Sequence, residues 1–324
     1  MLKTLNQFWQ KITGLSQLAD KPPCAEARLI QIEGFRSKCT LKPENLLQSH
    51  GKFSTTWKST NELDGSTVIV KRMRNPVSEK AKSRITTETS LSGLHPALPG
   101  HIETVYEGNE AYIVRPFIDG IDLQHFLKTH QGKKWEQFYI KLIVNLTEPL
   151  QALHTAGFCH ADIKPPNILI KCQNVNDLNP DSFPEAVLLD TGLARSFGIS
   201  GRTPFAVQYA APEQVLGFGS LTGASSDVYS LGIVLYECMT GDKPFYHPNP
   251  EVMMNLMIAS PLPENSRLQP ELFQVLQKAC FKTPLPKPPA LYPKTQLKAM
   301  LEKACNERYQ DAAGFGMALK ECIR

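Results

Sequence analysis

The segment His160-Ala-Asp-Ile-Lys-Pro-Pro-Asn167 constrains the fold of this chain more than any other stretch. It lies between apolar runs, and the later apolar run Val187-Leu-Leu leads into Asp190-Thr-Gly192. Apolar runs bounded by polar residues of this kind predict buried elements joined by a loop. Asp162, Lys164 and Asn167 are therefore expected on one loop.

These side chains suit the transfer of a phosphoryl group. The transferred group carries negative charge spread over its oxygens, so catalysis depends on positioning, metal ions and fixed positive charge. Asp162 could accept the proton of an attacking hydroxyl, and Lys164 could neutralise the moving phosphate. Asn167 and Asp190 offer the oxygen ligands that Mg²⁺ prefers.

The same segment resembles the catalytic loop of the protein kinases, His-Arg-Asp-x-Lys-Pro-x-Asn in the serine/threonine class. Further family motifs follow in the family's order: Asp190-Thr-Gly192, Ala211-Pro-Glu213 and Ser226-Asp-Val-Tyr-Ser-Leu-Gly232. From about Leu46 to Lys320 the chain resembles the eukaryotic-like, or Hanks-type, serine/threonine protein kinases. Its short linkers and the ending Arg308-Tyr-Gln310 are more typical of bacterial than of animal members.

The resemblance implies an α+β fold with a small β-rich N-lobe of five strands and a large, mainly helical C-lobe, with Mg·ATP between them. A chain of 324 residues is also longer than one hydrophobic core usually supports. We expect an N-terminal extension at residues 1–40, an N-lobe at 41–118 and a C-lobe at 119–324.

The extension is expected to contain a short amphipathic helix, because its apolar residues recur at helical spacing. They are Leu5, Phe8, Trp9, Ile12, Leu15 and Leu18. Docking on the chain's own N-lobe and binding to a membrane or a partner protein are the alternatives for this helix.

Composition indicates an ordinary soluble protein of the cytoplasm, with 42% hydrophobic and 20% charged residues. The net charge of +4 comes without a long lysine or arginine run, so nothing argues for a nucleic-acid partner. Eight cysteines without paired short spacings or a signal peptide predict reduced thiols. No apolar run is long enough for a transmembrane segment, and an effector exported without a removable signal would look the same.

The resemblance to the family also implies nucleotide-binding residues in the N-lobe. Ser49-His-Gly-Lys-Phe-Ser54 stands in place of the glycine-rich loop and keeps only Gly51 for close approach to the phosphates. Val68-Ile-Val-Lys71 resembles the strand whose lysine binds the α- and β-phosphates. Glu88 is the candidate to pair with Lys71, and a solvent-facing glutamate is the alternative.

Two N-lobe positions depart from the family. Ile69 replaces the small alanine above the adenine, and Arg115 takes the gatekeeper position behind it. A buried arginine there would be costly unless it reached a carboxylate such as Glu88.

The resemblance places the hinge at Pro116 to Ile118, where the Ile118 N–H would meet the adenine edge. Asp122 would lie near the ribose, and Leu169 is a further nucleotide-binding position.

Three positions of the C-lobe bear on regulation and substrate class. Ala161 replaces the arginine that usually binds an activation-loop phosphate, which predicts activity without that phosphorylation. Thr191 replaces the aromatic residue of Asp-Phe-Gly, and Ala206 replaces a threonine common in serine/threonine kinases. Autophosphorylation and simple solvation are the alternatives for the hydroxyls of Ser196, Ser200 and Thr203.

Two structural contacts are also implied. Asp227 is expected to anchor the backbone of the catalytic loop, and Arg308 to pair with Glu213.

The resemblance therefore implies transfer of the ATP γ-phosphate to serine or threonine hydroxyls of protein substrates. The catalytic residues would be Asp162, Lys164, Lys71 and Glu88, with Asn167 and Asp190 as Mg²⁺ ligands. The alternative is a pseudokinase, in which the departures from the family pattern reflect a nucleotide- or partner-binding module. Phosphorylation of a small molecule is disfavoured by the Ala211-Pro-Glu213 and Asp227 segments.

Overall fold

A computed structural model of the protein describes residues 29–48, 54–74, 78–201 and 207–323. The helix expected near the N-terminus, Gly51, Thr203 and Ala206 lie outside the described residues. The described chain forms two compact units, the first ending at Asp119 and the second beginning at Gly120.

The first unit is rich in β-structure. Its elements are β1 (Ile30–Glu33), β2 (Lys38–Leu41), β3 (Leu46–Gln48), β4 (Ser54–Thr60), β5 (Thr67–Arg74), α1 (Glu79–Ser90), β6 (Glu103–Glu107) and β7 (Glu110–Pro116). Five strands form one antiparallel sheet in the order β3-β4-β5-β7-β6, as the resemblance implied.

One face of this sheet packs against α1. Lys71 lies opposite Ile113, and Ile69 lies opposite Arg115. Directly opposed residues of an antiparallel pair share a face, so Lys71 and Arg115 are on the same face. On that face Ile85 of α1 packs against Met73, Ala111 and Ile113.

Helix α1 begins after a typical N-cap. The Ser78 hydroxyl accepts a hydrogen bond from the backbone N–H of Ala81 at 3.3 Å. The helix ends at Ser90.

A β-hairpin that the sequence pattern does not predict covers the other face of the sheet. Strands β1 and β2 pair antiparallel, and Ile32, Cys39 and Leu41 are buried. They pack in one cluster with Trp57, Val68, Val70, Val105, Tyr112 and Val114. Residues that precede most of the family resemblance therefore complete the core of the first unit.

The turn of this hairpin is fixed by one carboxylate. Glu103, at the start of β6, accepts hydrogen bonds from the backbone N–H groups of Phe35 and Arg36, both at 3.1 Å. It also accepts one from the Ser37 hydroxyl.

The second unit is mainly helical. Its elements are β8 (Gly120–Asp122), α2 (Leu123–Leu127), α3 (Glu136–Thr155), β9 (Phe158–Cys159), β10 (Ile168–Lys171), β11 (Ala186–Leu188), β12 (Arg195–Ser196), α4 (Pro212–Val215), α5 (Ala224–Thr240), α6 (Pro250–Ala259), α7 (Pro270–Ala279), α8 (Lys294–Glu307) and α9 (Ala312–Glu321). With the sheet of the first unit, this confirms the α+β class. In the described part of the chain, no helix combines the length and apolarity needed to cross a bilayer.

Short antiparallel strands fix both ends of the loop from His160 to Asn167. Strand β9 before the loop pairs with β12, and β10 after it pairs with both β8 and β11. The β10–β11 pair forms a hairpin whose connection spans residues 172–185.

The expected ion pair between Glu213 and Arg308 is confirmed and fully buried. The guanidinium donates to both carboxylate oxygens, at 2.7 and 3.2 Å. Ser226 adds a hydroxyl donor to Glu213 at 2.6 Å, and the Arg308 Nε donates to the Phe281 carbonyl at 2.9 Å. Because buried charges are costly without partners, this set of contacts offsets the cost of burying both side chains in the core.

We predict that Ile32→Ala lowers the free energy of unfolding by about 2–5 kcal/mol, because it leaves a cavity between the hairpin and the sheet. Urea unfolding followed by tryptophan fluorescence measures this, since Trp57 lies in the same cluster. Gln31→Ala, at an exposed position of the same strand, is the matched control and should change stability by less than about 0.5 kcal/mol. Equal effects would contradict packing of the hairpin on the sheet.

Candidate active site

The loop from His160 to Asn167 is anchored by a buried carboxylate on α5. Asp227 Oδ2 accepts the backbone N–H of His160 at 2.7 Å, and Oδ1 accepts that of Ala161 at 2.9 Å. The His154 Nε2 lies 3.1 Å from Oδ2. The expected anchoring of the loop backbone by Asp227 is therefore confirmed.

Ala161 has a left-handed backbone conformation, with φ of 64°. Residues with a Cβ rarely adopt it, so surrounding contacts must hold it in place. Its N–H is bound by Asp227, and its carbonyl accepts a hydrogen bond from the Gln214 Nε2 at 3.1 Å. The methyl side chain is buried and brings no charge to this position.

Asp162 lies next to one cation and one amide. Its Oδ2 accepts hydrogen bonds from the Lys164 Nζ at 2.6 Å and from the Asn167 Nδ2 at 3.1 Å. The same Asn167 nitrogen donates to the Asp162 backbone carbonyl at 2.8 Å. Because both side-chain contacts use Oδ2, Oδ1 is the oxygen that a substrate hydroxyl would approach.

Asn167 and Asp190 form a donor set that fits Mg²⁺. The Asn167 nitrogen is bound to Asp162, so its carbonyl oxygen is the atom it offers to a cation. The backbone N–H of Leu189 donates to the backbone carbonyl of Asn167 at 2.7 Å, which leaves the side-chain oxygen of Asn167 out of this contact. Asp190 follows Leu189 in a left-handed conformation with φ of 61°. Mg²⁺ usually takes one or two protein oxygens and completes its shell with water and phosphate.

His160 joins the loop to the same region. Its Nε2 lies 3.0 Å from the Leu189 carbonyl, directly before Asp190. Its Nδ1 accepts a hydrogen bond from the Asp162 N–H at 3.3 Å. The His160 ring thus bridges the residues assigned to base and metal chemistry.

The other expected nucleotide positions of the second unit lie on paired strands. Asp122 and Leu169 are opposite each other in the β8–β10 pair. Asp122 also caps α2, since its Oδ1 accepts the His125 N–H at 3.0 Å and its Oδ2 lies 2.6 Å from the His125 Nδ1. Leu169 is half-buried.

In the first unit, Glu88 contacts two cations. Lys71 Nζ donates to Oε2 at 3.0 Å, so the expected pairing is confirmed and the alternative of a solvent-facing glutamate is wrong. Arg115 NH1 lies 3.0 Å from Oε1, which meets the requirement for a carboxylate partner. This second contact is an ion pair outside hydrogen-bond geometry.

Fewer contacts describe the positions of the remaining expected nucleotide-binding residues of the first unit. Ile118 is half-buried and follows β7. The backbone N–H of its neighbour Phe117 donates to the Thr67 carbonyl at 3.1 Å, which fixes the chain just before Ile118. Gly51 lies outside the described residues.

Two residues of this site were not predicted from the sequence. Gln214 binds the Ala161 carbonyl through its Nε2, while its Oε1 accepts the Ala211 N–H at 3.0 Å. Its place directly after Ala211-Pro-Glu213 was the available signal. His154 lies at the end of a helical pattern, where nothing distinguishes it from an ordinary helix-terminal histidine.

Comparison with known proteins identifies the relatives of this chain. The family model for the protein kinase domain matches residues 41–316. The serine/threonine-protein kinase PknB of Mycobacterium tuberculosis is 33% identical over 209 residues, which cover 59% of this chain and 31% of that protein. The serine/threonine-protein kinase PkaB of Streptomyces coelicolor is 28% identical over 243 residues, covering 72% of this chain and 57% of that protein. The chain thus matches about a third of PknB and just over half of PkaB.

We predict that Asp227→Asn loosens the loop at His160 and Ala161. The asparagine Nδ2 would face a backbone N–H instead of accepting from it, so a buried donor loses its partner at a cost of about 1–3 kcal/mol. Hydrogen–deuterium exchange of the peptide spanning these residues should become faster, and the Tm should fall. Asp181→Asn, at an exposed position of the same unit, is the control. Unchanged exchange in Asp227→Asn would contradict the anchoring role.

Proposed function

The chain belongs to the protein kinase family, and we propose that it transfers the γ-phosphate of ATP to serine or threonine hydroxyls of protein substrates. The observation that carries this proposal is the arrangement of Asp162, Lys164 and Asn167 on a loop held by Asp227. The Lys164-Pro165 pair and the serine/threonine kinase relatives favour an aliphatic hydroxyl as the acceptor.

In the proposed reaction the substrate hydroxyl oxygen attacks the γ-phosphorus, the bond to the bridging oxygen breaks, and ADP leaves. Asp162 accepts the hydroxyl proton through Oδ1. Lys164 is fixed beside the other carboxylate oxygen at 2.6 Å and neutralises charge on the moving group.

Asn167 and Asp190 would hold Mg²⁺ through an amide oxygen and a carboxylate oxygen. When bound, this ion would neutralise charge on the phosphate oxygens. The hydrogen bonds from the Asn167 nitrogen to Asp162 keep the amide from rotating, so its oxygen has one orientation.

The proposed nucleotide contacts also include residues of the first unit. Lys71 would bind the α- and β-phosphates, and Glu88 would restrict the long lysine side chain to one geometry. Gly51, Ile118, Asp122 and Leu169 are proposed as further nucleotide-binding residues on the basis of the family resemblance. Asp122 would contact the ribose and would still cap α2.

We further propose that activity does not require phosphorylation of the activation segment. Ala161 has no charge with which to bind a phosphate, and its strained backbone is held by Asp227 and Gln214 without one. Protein substrates remain part of this proposal. A cytoplasmic location is a further part of it, and is supported by buried cysteines without disulfide bonds, such as Cys159, Cys238 and Cys280.

The direct test is intact mass and site mapping of phosphatase-treated protein after incubation with Mg·ATP and a mixture of serine- and threonine-containing peptides. We expect phosphate on serine or threonine, and at least about a 100-fold lower rate in Asp162→Asn, because the proton acceptor is lost. Transfer by the phosphatase-treated protein without a lag would support independence from activation-segment phosphorylation.

Asp177→Asn is the matched control, since this exposed aspartate lies on the β10–β11 connection of the same unit. It should keep full activity. Binding of Mg·ATP without transfer to any acceptor would instead indicate a pseudokinase that acts as a binding module, and transfer to metabolites alone would indicate a small-molecule kinase.

A further inference from the structure

Arg195 is a buried cation in β12, shortly after Asp190. Its backbone pairs with Cys159 of β9, so it is fixed next to the start of the catalytic loop. Its side chain reaches forward along the chain. The NH2 group donates to the backbone carbonyl of Ile199, and NH1 donates to that of Gly201 at 3.4 Å. One guanidinium thus holds two carbonyls of the turn that follows β12.

The buried charge favours this conformation of the turn. In the described part of the chain no carboxylate forms an ion pair with Arg195, so the two carbonyls are its acceptors. A buried cation is costly unless oriented dipoles contact it, and backbone carbonyls supply such dipoles. Hydrogen bonds from a charged donor also contribute more than those between neutral groups. Any other conformation of residues 197–201 would give up both contacts.

A second element contacts the same turn. Gly219 begins a short 3₁₀ helix, Gly219–Leu221, which follows α4. A Cβ at this position would overlap with the Gly201 carbonyl oxygen and would lie 3.0 Å from the Arg195 NH2. Only a glycine therefore permits this approach of the two backbones. Gly201 itself has φ of 115°, which residues with a Cβ rarely adopt.

The far end of the same segment is also tied down. Gln214 donates to the backbone carbonyl of Ala161 in the catalytic loop, and it accepts the N–H of Ala211. The segment from Arg195 to Ala211 is consequently held near both of its ends by side chains that bind backbone groups. Neither contact uses a phosphate.

We propose that Arg195 is a positioning residue that holds the activation segment in the conformation that binds the protein substrate, with backbone carbonyls as the ligands of its charge. Gly219 completes the arrangement by allowing the turn at Gly201 to approach. This inference rests on the proposed function, because it concerns binding of the peptide that accepts the phosphate.

The test compares phosphatase-treated Arg195→Met with the unaltered protein, in steady-state transfer to a peptide that the unaltered protein phosphorylates. If the segment keeps its conformation for only about a tenth of the time, KM for the peptide rises about tenfold. This corresponds to about 1.4 kcal/mol, which is the size expected for one hydrogen bond from a charged donor. Saturating peptide selects the competent conformation, so kcat and KM for ATP should change by less than about twofold.

Two further variants separate the charge from the shape of the turn. Arg195→Lys retains the charge but lacks the planar fork that reaches both carbonyls, so KM for the peptide should rise by only about threefold. Gly219→Ala keeps the arginine and displaces the turn at Gly201. It should raise KM for the peptide and leave KM for ATP unchanged.

Arg267→Met is the matched control. This arginine also donates to a backbone carbonyl, that of Thr240 at the end of α5, and this contact lies outside the activation segment. Its replacement should leave kcat and both KM values within about twofold of the unaltered protein.

Ser200→Ala tests whether the ligand of Arg195 is a phosphate. Ser200 lies between the two carbonyls that Arg195 holds, and its replacement leaves them in place. KM for the peptide should therefore not change. If Ser200→Ala raised this KM as much as Arg195→Met, the ligand would be a phosphate and the proposal would be overturned. A lower kcat per total protein in Arg195→Met, with both KM values unchanged, would show a purely structural arginine and would also overturn it.

Failure of this inference and failure of the proposed function give different results. If the unaltered protein phosphorylates the peptide and Arg195→Met does so with the same KM, only the inference is wrong. If the unaltered protein phosphorylates no peptide, the proposed function is wrong and the inference is overturned with it.

Discussion

The geometry of the candidate site depends on the carboxylate of Asp227. It lies on α5, a helix whose side chains are nearly all buried, and it accepts the backbone N–H groups of His160 and Ala161 at 2.7 and 2.9 Å. Backbone N–H groups have no side-chain rotamers, so these two hydrogen bonds fix the position of the loop backbone relative to the helix. His160 and Gln214 then extend the network to Leu189 and to the segment after Ala211. The position of the loop therefore depends on a side chain of a buried helix and not only on contacts within the loop itself.

Buried carboxylates recur in the described part of this protein, and those of Glu213 and Glu88 have cationic partners. Glu213 has the Arg308 guanidinium and a serine hydroxyl, and Glu88 has two cations. Such groups are costly to desolvate and contribute little net stability compared with apolar residues. Their value lies in specificity, because an alternative packing would leave a buried charge without a partner. Contacts over long sequence separations, such as Glu213 with Arg308, are thus restricted to one arrangement.

The sequence predicted the polar contacts better than the packing around them. Asp227, Glu213 and Glu88 were each assigned a correct partner because the resemblance to the protein kinases implies these contacts. Sequence patterns could not predict β1 and β2, since strands of four residues show too little alternation to distinguish them from a loop. Gln214 was missed for a different reason, because a glutamine contact with a distant carbonyl has no signature in the local sequence.

The hairpin of β1 and β2 changes where the first folding unit begins. The family model starts at residue 41, whereas the hairpin that covers Trp57, Val70 and Tyr112 starts at Ile30. A fragment cut at the family boundary would keep every residue assigned to catalysis and still leave one side of its sheet without cover. Exposed apolar faces of this kind promote association between molecules. The boundary of the catalytic family and the boundary of the soluble unit are therefore different positions in this chain.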